Sequence, residues 1–195
     1  NYCDSMGVKV AKLIKTLDQR TFHTFRDKVF CLCGFIEGEN FDGTRDELKN
    51  MARETAILHR VLSGNPFIDT IVDRKSGVDL YDLSDLDEVI KSVLRHGIVD
   101  QFDAYIFGIV EEIKQSFKVV SESQIESLPN QVIHYDLHPH IALFNPNTKE
   151  VLAILDFAPV RYSQRVRDVG FGMLTFSRTY GEKTERRNDV GANLR

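Results

Sequence analysis

The chain has 195 residues, of which 42% are hydrophobic and 28% are charged, and its formal net charge is −4. This length and composition are ordinary for a soluble globular protein with a buried core. The acidic balance argues against a general nucleic-acid-binding protein, and no apolar run is long enough to cross a membrane. We therefore expect neither nucleic acid nor a membrane as a partner, and the sequence indicates no oligomeric state.

The cysteines and the chain ends give two further expectations. The three cysteines are too few for a disulfide framework, and Cys31 and Cys33 are too close in sequence to bridge each other. We expect reduced thiols and a cytoplasmic location. Because the chain begins at Asn1 and ends at Arg195 in what resembles the middle of an element, we expect a fragment of a longer protein.

The first 40 residues are predicted to be rich in strands. Residues 8–15 are apolar enough for a strand or the end of a helix, and residues 17–20 are a turn candidate. Residues 29–36 are a continuous apolar run, as expected for a buried strand. The polar residues 37–40 then break this run.

Helices are predicted in the middle of the chain. Residues 44–62 have apolar side chains at helical spacing, with Thr44 and Glu47 placed as a capping box. We interpret His59 on this helix as a packed, bracing histidine. Two further helices are predicted at residues 85–95 and 101–119.

The most informative segment is His134-Tyr135-Asp136-Leu137-His138-Pro139-His140-Ile141-Ala142-Leu143-Phe144, followed by Ile154-Leu155-Asp156-Phe157. Residues 142–144 and 151–155 are short apolar runs joined by a turn at 145–147, which predicts a β-hairpin. The hairpin brings Asp136 and Asp156 to one place. A helix is predicted at residues 166–178, ending at Tyr180 and Gly181.

Two carboxylates at such a hairpin suit phosphoryl transfer. One can accept the proton of an attacking hydroxyl, and the other can hold Mg²⁺ against nucleotide phosphates.

These segments resemble the aminoglycoside phosphotransferase and choline kinase family, whose catalytic loop reads roughly His-Gly-Asp-x-His-Pro-Gly-Asn-x-Leu-Phe and whose metal loop reads Ile-Asp-Phe. The resemblance implies an α+β, protein-kinase-like two-lobe fold, here truncated. Residues 1–37 would be the remnant of the β-rich N-terminal lobe with the hinge strand. Residues 38–195 would be the mainly helical C-terminal lobe with the catalytic β-hairpin. The implied activity is ATP-dependent phosphorylation of a small-molecule hydroxyl, with ATP and Mg²⁺ as cofactors.

The resemblance also implies roles for individual residues. Asp136 corresponds to the catalytic aspartate and Asp156 to the metal-binding aspartate. Asp168 corresponds to a later aspartate that braces the catalytic loop by accepting backbone hydrogen bonds, and His134 is a structural support.

For the nucleotide, the resemblance implies adenine contacts at the hinge. The carbonyl of Gly34 and the amide of Ile36 would meet the adenine edge, with Phe35 between them. Leu143 and Leu155 would pack beneath the base.

One position departs from the family pattern. The family's metal-binding asparagine corresponds to Ile141, and the glycine before it corresponds to His140. Isoleucine has no atom to donate to a metal, so His138 or His140 would have to take over, although imidazole is a poor ligand for Mg²⁺. The alternative to a kinase is therefore a nucleotide-binding pseudokinase.

A lesser alternative is a metal-dependent hydrolase. On a straight strand His134, Asp136, His138 and His140 would all point to one face and could bind zinc or iron. Pro139 argues against this arrangement because it interrupts strand pairing.

Overall fold

The computed structural model of the chain describes residues 2–72, 83–98, 101–119, 123–124 and 127–183. These residues form a mixed structure of helices and short antiparallel strands. The chain divides into two compact units, one comprising residues 1–75 and 129–195 and the other residues 76–128. The candidate site lies in the first unit.

The elements have the following bounds. The strands are β1 Leu13–Ile14, β2 His23–Phe25, β3 Lys28–Phe30, β4 Leu32–Cys33, β5 Glu39–Asn40, β6 Asn130–Ile133, β7 Ala142–Phe144, β8 Val151–Ile154 and β9 Arg161–Gln164. The helices are α1 Tyr2–Ser5, α2 Arg45–Ser63, α3 Ile68–Val72, α4 Leu83–His96, α5 Gln101–Lys118 and α6 Val166–Lys183, and a 3-10 turn covers Pro139–Ile141.

The apolar run at residues 29–36 does not form the single buried strand that its composition predicts. β2 and β3 form a hairpin whose turn is Arg26-Asp27, both with positive φ (48° and 59°), as in a type I′ turn. β4 pairs instead with β1, so two different partners divide the run. Val29 and Leu32 are both exposed, because these two-stranded sheets leave their side chains open to solvent.

Helix α2 begins and ends close to the predicted residues. Thr44 is its N-cap and accepts a hydrogen bond from the Glu47 amide, while the Glu47 carboxylate accepts from the Thr44 amide. Glu47 is buried and also pairs with Lys149 Nζ at 3.3 Å, and Asn50 donates to the Lys149 carbonyl. The first turn of α2 is therefore attached to the turn of the hairpin between β7 and β8.

The predicted hairpin at residues 142–155 is confirmed. β7 pairs with β8 in antiparallel register, and the Asn145 side chain accepts hydrogen bonds from the amides of Asn147 and Thr148 in the turn. β5 pairs with the other edge of β7 and completes a three-stranded sheet. Val10 forms a parallel bridge with Ile154. The hairpin is thus covered on both edges.

The core of the first unit lies between the helices α2 and α6 and the strands β6 and β8. Its buried side chains include Phe41, Leu58, Val132, Leu137, Phe144, Ile154 and Phe176. β6 pairs with β9, and its buried end at Ile133 leads directly into His134. The loop that begins at His134 therefore starts from a buried, paired strand end.

Two helices differ from their predicted ends. α6 continues past Gly181 to Lys183, because a single glycine in a helix costs only about 1 kcal/mol. In the second unit, α4 starts two residues before the predicted Asp85, and Asp87 forms an ion pair with Lys114 of α5 at 2.8 Å.

Among the described residues, no helix is both long enough and apolar enough to span a membrane.

Candidate active site

A buried carboxylate holds the loop that follows β6. Asp168, in the first turn of α6, is 1% exposed. Its Oδ2 accepts a hydrogen bond from the His134 amide at 2.8 Å, and its Oδ1 accepts one from the Tyr135 amide at 2.7 Å. His59 Nε2 on α2 lies 2.9 Å from the same Oδ2. Two backbone amides and one imidazole thus fix the loop just before Asp136.

His134 connects this loop to the loop after β8. Its ring is fully buried, its Nε2 donates to the Leu155 carbonyl at 2.9 Å, and it packs edge-on against Phe157. Within the described part of the chain, its Nδ1 is a buried atom with no hydrogen-bond partner. Burial lowers the pKa of His134, although the Leu155 carbonyl and the charges of nearby aspartates oppose the shift. The His134 ring thus joins the loop after β6 to the loop after β8, and its lowered pKa favours the neutral form.

The two predicted functional carboxylates lie near His134. Both carboxylates are close enough to His134 for their negative charges to act on its pKa. These charges oppose the larger effect of burial, which lowers that pKa. Asp136 is partly exposed, with 37% of its side chain accessible, and Asp156 is exposed. Asp156 has a φ of 55°, and its Oδ1 accepts from the Ala158 amide at 3.3 Å. The fold thus brings together Asp136, Asp156 and Asp168.

The histidines after Asp136 are arranged differently from a strand. His138 caps the 3-10 turn, where its Nδ1 accepts from the His140 amide at 3.2 Å, and its Nε2 lies 3.6 Å from Asp136 Oδ2. His140 is exposed and its ring packs edge-on against His138. Because β6 ends at Ile133, the one-sided row of histidines considered for a hydrolase does not form. In the parts of the chain that the structure covers, no three His, Cys, Asp or Glu side chains are grouped to hold a metal ion.

Ile141 is part of the core. Its side chain is 4% exposed, and its carbonyl accepts from the Leu155 amide at 2.7 Å. It offers no side-chain ligand, so the hard oxygen donor at the predicted metal position is the carboxylate of Asp156. Such a donor fits Mg²⁺, which is usually bound through one or two carboxylates and substrate phosphates.

The predicted adenine contacts lie just before β5. The Gly34 amide donates to the Lys12 carbonyl at 2.9 Å, Phe35 is 94% exposed and Ile36 is half-buried. Gly38 then passes tightly over the hairpin, where an added Cβ would lie 3.1 Å from the Phe144 carbonyl oxygen and 3.3 Å from Leu143 Cβ. The chain therefore continues from residues 34–36 into β5, which pairs with β7, the strand that contains Leu143. Leu155, like Leu143, is half-buried.

The model of the phosphotransferase enzyme family matches residues 4–191 of the chain. The chain belongs to this family. No curated protein matches it. This family member resembles solved structures of low sequence identity, so those likenesses show the fold, which is protein-kinase-like.

Three solved structures illustrate the likeness. An aminoglycoside phosphotransferase from Alicyclobacillus acidocaldarius is 18% identical with a TM-score of 0.69, and the match covers 98% of this chain and 59% of that one. The amicoumacin kinase hAmiN, in complex with AMP-PNP, Ca²⁺ and Ami, is 13% identical with a TM-score of 0.59, and the match covers 98% of this chain and 56% of that one. An AMP-bound spectinomycin phosphotransferase is 16% identical with a TM-score of 0.59, covering 93% and 64%. The chain thus spans less than two thirds of the length of these proteins.

Sequence reasoning missed several contacts of this phosphotransferase family member. His59 was predicted to brace, but its partner Asp168 is 109 residues away and no local pattern connects them. The residues around Gly38 were expected to break a strand at the hinge, but their close approach to the hairpin between β7 and β8 was not foreseen. The guanidinium of Arg161 stacks on the ring of Tyr135, and no signal in the sequence pointed to this contact.

Proposed function

We propose that the full-length protein is a kinase that transfers a phosphoryl group from ATP to a hydroxyl of a small molecule, such as an amino sugar, an amino alcohol or a sugar. The observation that carries this proposal is that the Asp168 carboxylate accepts hydrogen bonds from the amides of His134 and Tyr135. It fixes the backbone immediately before Asp136 and leaves the Asp136 carboxylate accessible. A rigidly held and accessible carboxylate is what positioning catalysis requires.

In this proposal Asp136 orients the acceptor hydroxyl or takes its proton. General base catalysis of this kind contributes about 10²–10⁴-fold to a rate. His138 Nε2 lies 3.6 Å from Asp136 Oδ2, so this ring is close to the proposed base.

Asp156 would hold Mg²⁺ together with the nucleotide phosphates. The exposed carboxylate suits this role because the remaining ligands must come from phosphate and water. When bound, Mg²⁺ neutralises charge that develops on the transferred phosphoryl group. His138 and His140 remain predicted auxiliary ligands, and the hydrogen bond from the His140 amide already occupies His138 Nδ1.

The nucleotide would lie against the hairpin. We assign the Gly34 carbonyl and the Ile36 amide to the adenine edge, with Phe35 between them and Leu143 and Leu155 beneath the base. The close passage of Gly38 over β7 supports this assignment, because it brings that segment to the hairpin. The lobe boundary near residue 37 and a cytoplasmic location, where ATP is available, belong to the same proposal.

A second candidate function is nucleotide binding without phosphoryl transfer. Ile141 favours it, because its buried side chain supplies no second protein ligand for a metal. Loss of that ligand should reduce turnover more than nucleotide affinity, since most catalysis at such a site is charge neutralisation and positioning.

The test is Mg²⁺-dependent ATP turnover by the full-length protein, measured with a panel of amino alcohols and sugars. Asp136→Asn and Asp156→Asn should each lower kcat by about 10²-fold or more, whereas Asp46→Asn, on the exposed first turn of α2, should leave it unchanged. ATP binding without turnover would support the pseudokinase. Turnover that survives both substitutions would contradict the assigned roles.

A further inference from the structure

We propose that Tyr135 and Arg161 form a subsite beside Asp136 that binds an anionic group, either a carboxylate or a phosphate. The subsite would determine which ligands the proposed kinase accepts, so its assignment to a substrate rests on the proposed function. The binding of an anion by these two residues does not depend on the proposed function.

The two side chains form a cation–π pair. The guanidinium carbon of Arg161 lies 4.2 Å from the centroid of the Tyr135 ring. Stacking of this kind occupies the face of the guanidinium. Its N–H donors lie in its plane and remain available for the two parallel hydrogen bonds that carboxylates and phosphates accept.

The positive charge of Arg161 has no acidic partner in the described part of the chain. Arg161 is half-buried at the start of β9, and among the described residues it forms no ion pair and no side-chain hydrogen bond. Asp168, which accepts from the Tyr135 amide, is occupied by a second amide and by His59. A half-buried, directed and unpaired guanidinium is suited to an anion from outside the chain.

Tyr135 holds its ring in place through a strained backbone. Its φ is 77°, in the left-handed region that an aromatic residue rarely adopts and glycine adopts freely. Asp168 keeps the residue in this conformation by accepting from its amide. Strained residues of this kind cluster at sites that bind ligands. The strain here places the aromatic ring where Arg161 stacks on it.

The position of the pair indicates what it would bind. Tyr135 directly precedes Asp136, and Arg161 is paired with Ile133, at the end of the strand that leads into the same loop. A ligand with a hydroxyl at Asp136 would therefore bring a neighbouring acidic group to Arg161. The inferred substrate class is a hydroxyl compound that carries a carboxylate or phosphate. A nucleotide phosphate offers the same chemistry, and the experiment must separate the two sources.

The first arm measures anion binding directly and needs no turnover. Inorganic sulfate is titrated into the full-length protein at constant ionic strength, and the Arg161 Nε–H resonance is followed by NMR. We expect a saturable shift in the wild type. In Arg161→Gln a Tyr135 ring resonance serves as the reporter, and sulfate affinity should fall about tenfold or more. Arg165→Gln, which removes the same charge from an exposed residue just after β9, should bind sulfate like the wild type.

The second arm identifies the source of the anion. If the acceptor supplies it, Arg161→Gln raises the KM for an acidic acceptor and leaves the KM for ATP unchanged. If the nucleotide supplies it, the KM for ATP rises instead. Arg161→Lys, which keeps the charge but loses the fork of donors, should recover the lost affinity only in part.

The outcomes separate this inference from the proposed function. Absence of turnover in the wild type, with sulfate binding lost in Arg161→Gln, would remove the kinase and keep the anion subsite. Sulfate binding that is equal in Arg161→Gln and the wild type, or equally weakened in Arg165→Gln, would overturn the subsite even if the protein phosphorylates an acceptor.

Discussion

His59 Nε2 and Asp168 Oδ2 lie 2.9 Å apart, and the side chains of both residues are almost completely buried. The pair links α2 to α6 across 109 residues of sequence, and Asp168 also accepts hydrogen bonds from the amides of His134 and Tyr135. The shape of the loop before Asp136 therefore depends on helix packing far from it in sequence.

Replacing Asp168 with asparagine should destabilise the fold strongly. An amide has only one acceptor oxygen, so its NH₂ group would face one of the two backbone amides that Asp168 now accepts from. Breaking a buried network of this kind costs about 3–5 kcal/mol in the free energy of unfolding. Urea unfolding of wild type and Asp168→Asn measures it.

The matched control for this substitution is Asp46→Asn. Asp46 is exposed and its pair with Lys49 is 3.7 Å long, so the change should stay within about 0.5 kcal/mol. An Asp168→Asn protein as stable as the control would show that the loop does not depend on the carboxylate.

The buried His134 should make stability depend on pH. Its pKa is lowered in the folded protein, first because it is buried, while the unfolded chain has the ordinary value of 6.5. The folded state then binds fewer protons than the unfolded state between these two values. Its contribution is fully present above pH 6.5 and is lost as the pH falls from there through the lower pKa of the folded state. The measurement is the free energy of unfolding between pH 5 and pH 8.

Two glutamine variants identify the source of this slope. His134→Gln can still offer an N–H to the Leu155 carbonyl but does not titrate, so part of the slope below pH 6.5 should disappear. His23→Gln changes an exposed histidine on β2 and should keep the slope. A slope that is the same in all three proteins would assign the pH dependence to other groups.

The parts of the fold that were predicted correctly carry their signals within a few residues. The capping box of Thr44 and Glu47 marks the start of α2, and the turn at Asn145 marks the hairpin, because these hydrogen bonds form between near neighbours. The same hairpin predicted that Asp136 and Asp156 would lie near each other, whereas the placement of Asp168 came only from the family resemblance.

The parts that failed depend on residues far apart in the chain. The run at residues 29–36 is apolar throughout, but whether it is buried depends on what covers it, and pairing with β1 and β2 leaves it exposed. The stacking of Arg161 on Tyr135 joins two loop-flanking residues through the register of β6 and β9. Such contacts follow from tertiary packing, which periodicity does not encode.

Gly38 should resist substitution by alanine. An added Cβ would lie 3.1 Å from both the Phe144 carbonyl oxygen and Leu152 Cδ1, and the carbonyl belongs to a paired strand that cannot easily move. We expect Gly38→Ala to lower the free energy of unfolding by about 1–3 kcal/mol. It should also weaken nucleotide binding if residues 34–36 contact adenine. Thermal unfolding and ATP titration measure the two effects.

Gly170 provides a control of opposite sign. It lies exposed in α6, and an added Cβ would meet nothing within 4 Å. Gly170→Ala should therefore raise stability by about 0.5–1 kcal/mol through helix propensity. A Gly38→Ala protein that gains stability in the same way would show that the segment is free to shift away from β7.

Ile141→Asn should separate stability from catalysis. The 4% exposed side chain packs in the core, so an amide there loses apolar contacts and must be desolvated, at a cost of about 2–5 kcal/mol in the free energy of unfolding. If the missing metal ligand limits the proposed kinase, the same amide oxygen should raise kcat per folded molecule by about tenfold or more. Ile141→Val, which loses one methyl group and adds no ligand, should cost only about 0.5–1.5 kcal/mol and leave kcat unchanged. A destabilised Ile141→Asn protein without any gain in kcat would assign Ile141 to packing alone and would leave Asp156 with the phosphates as the complete metal site.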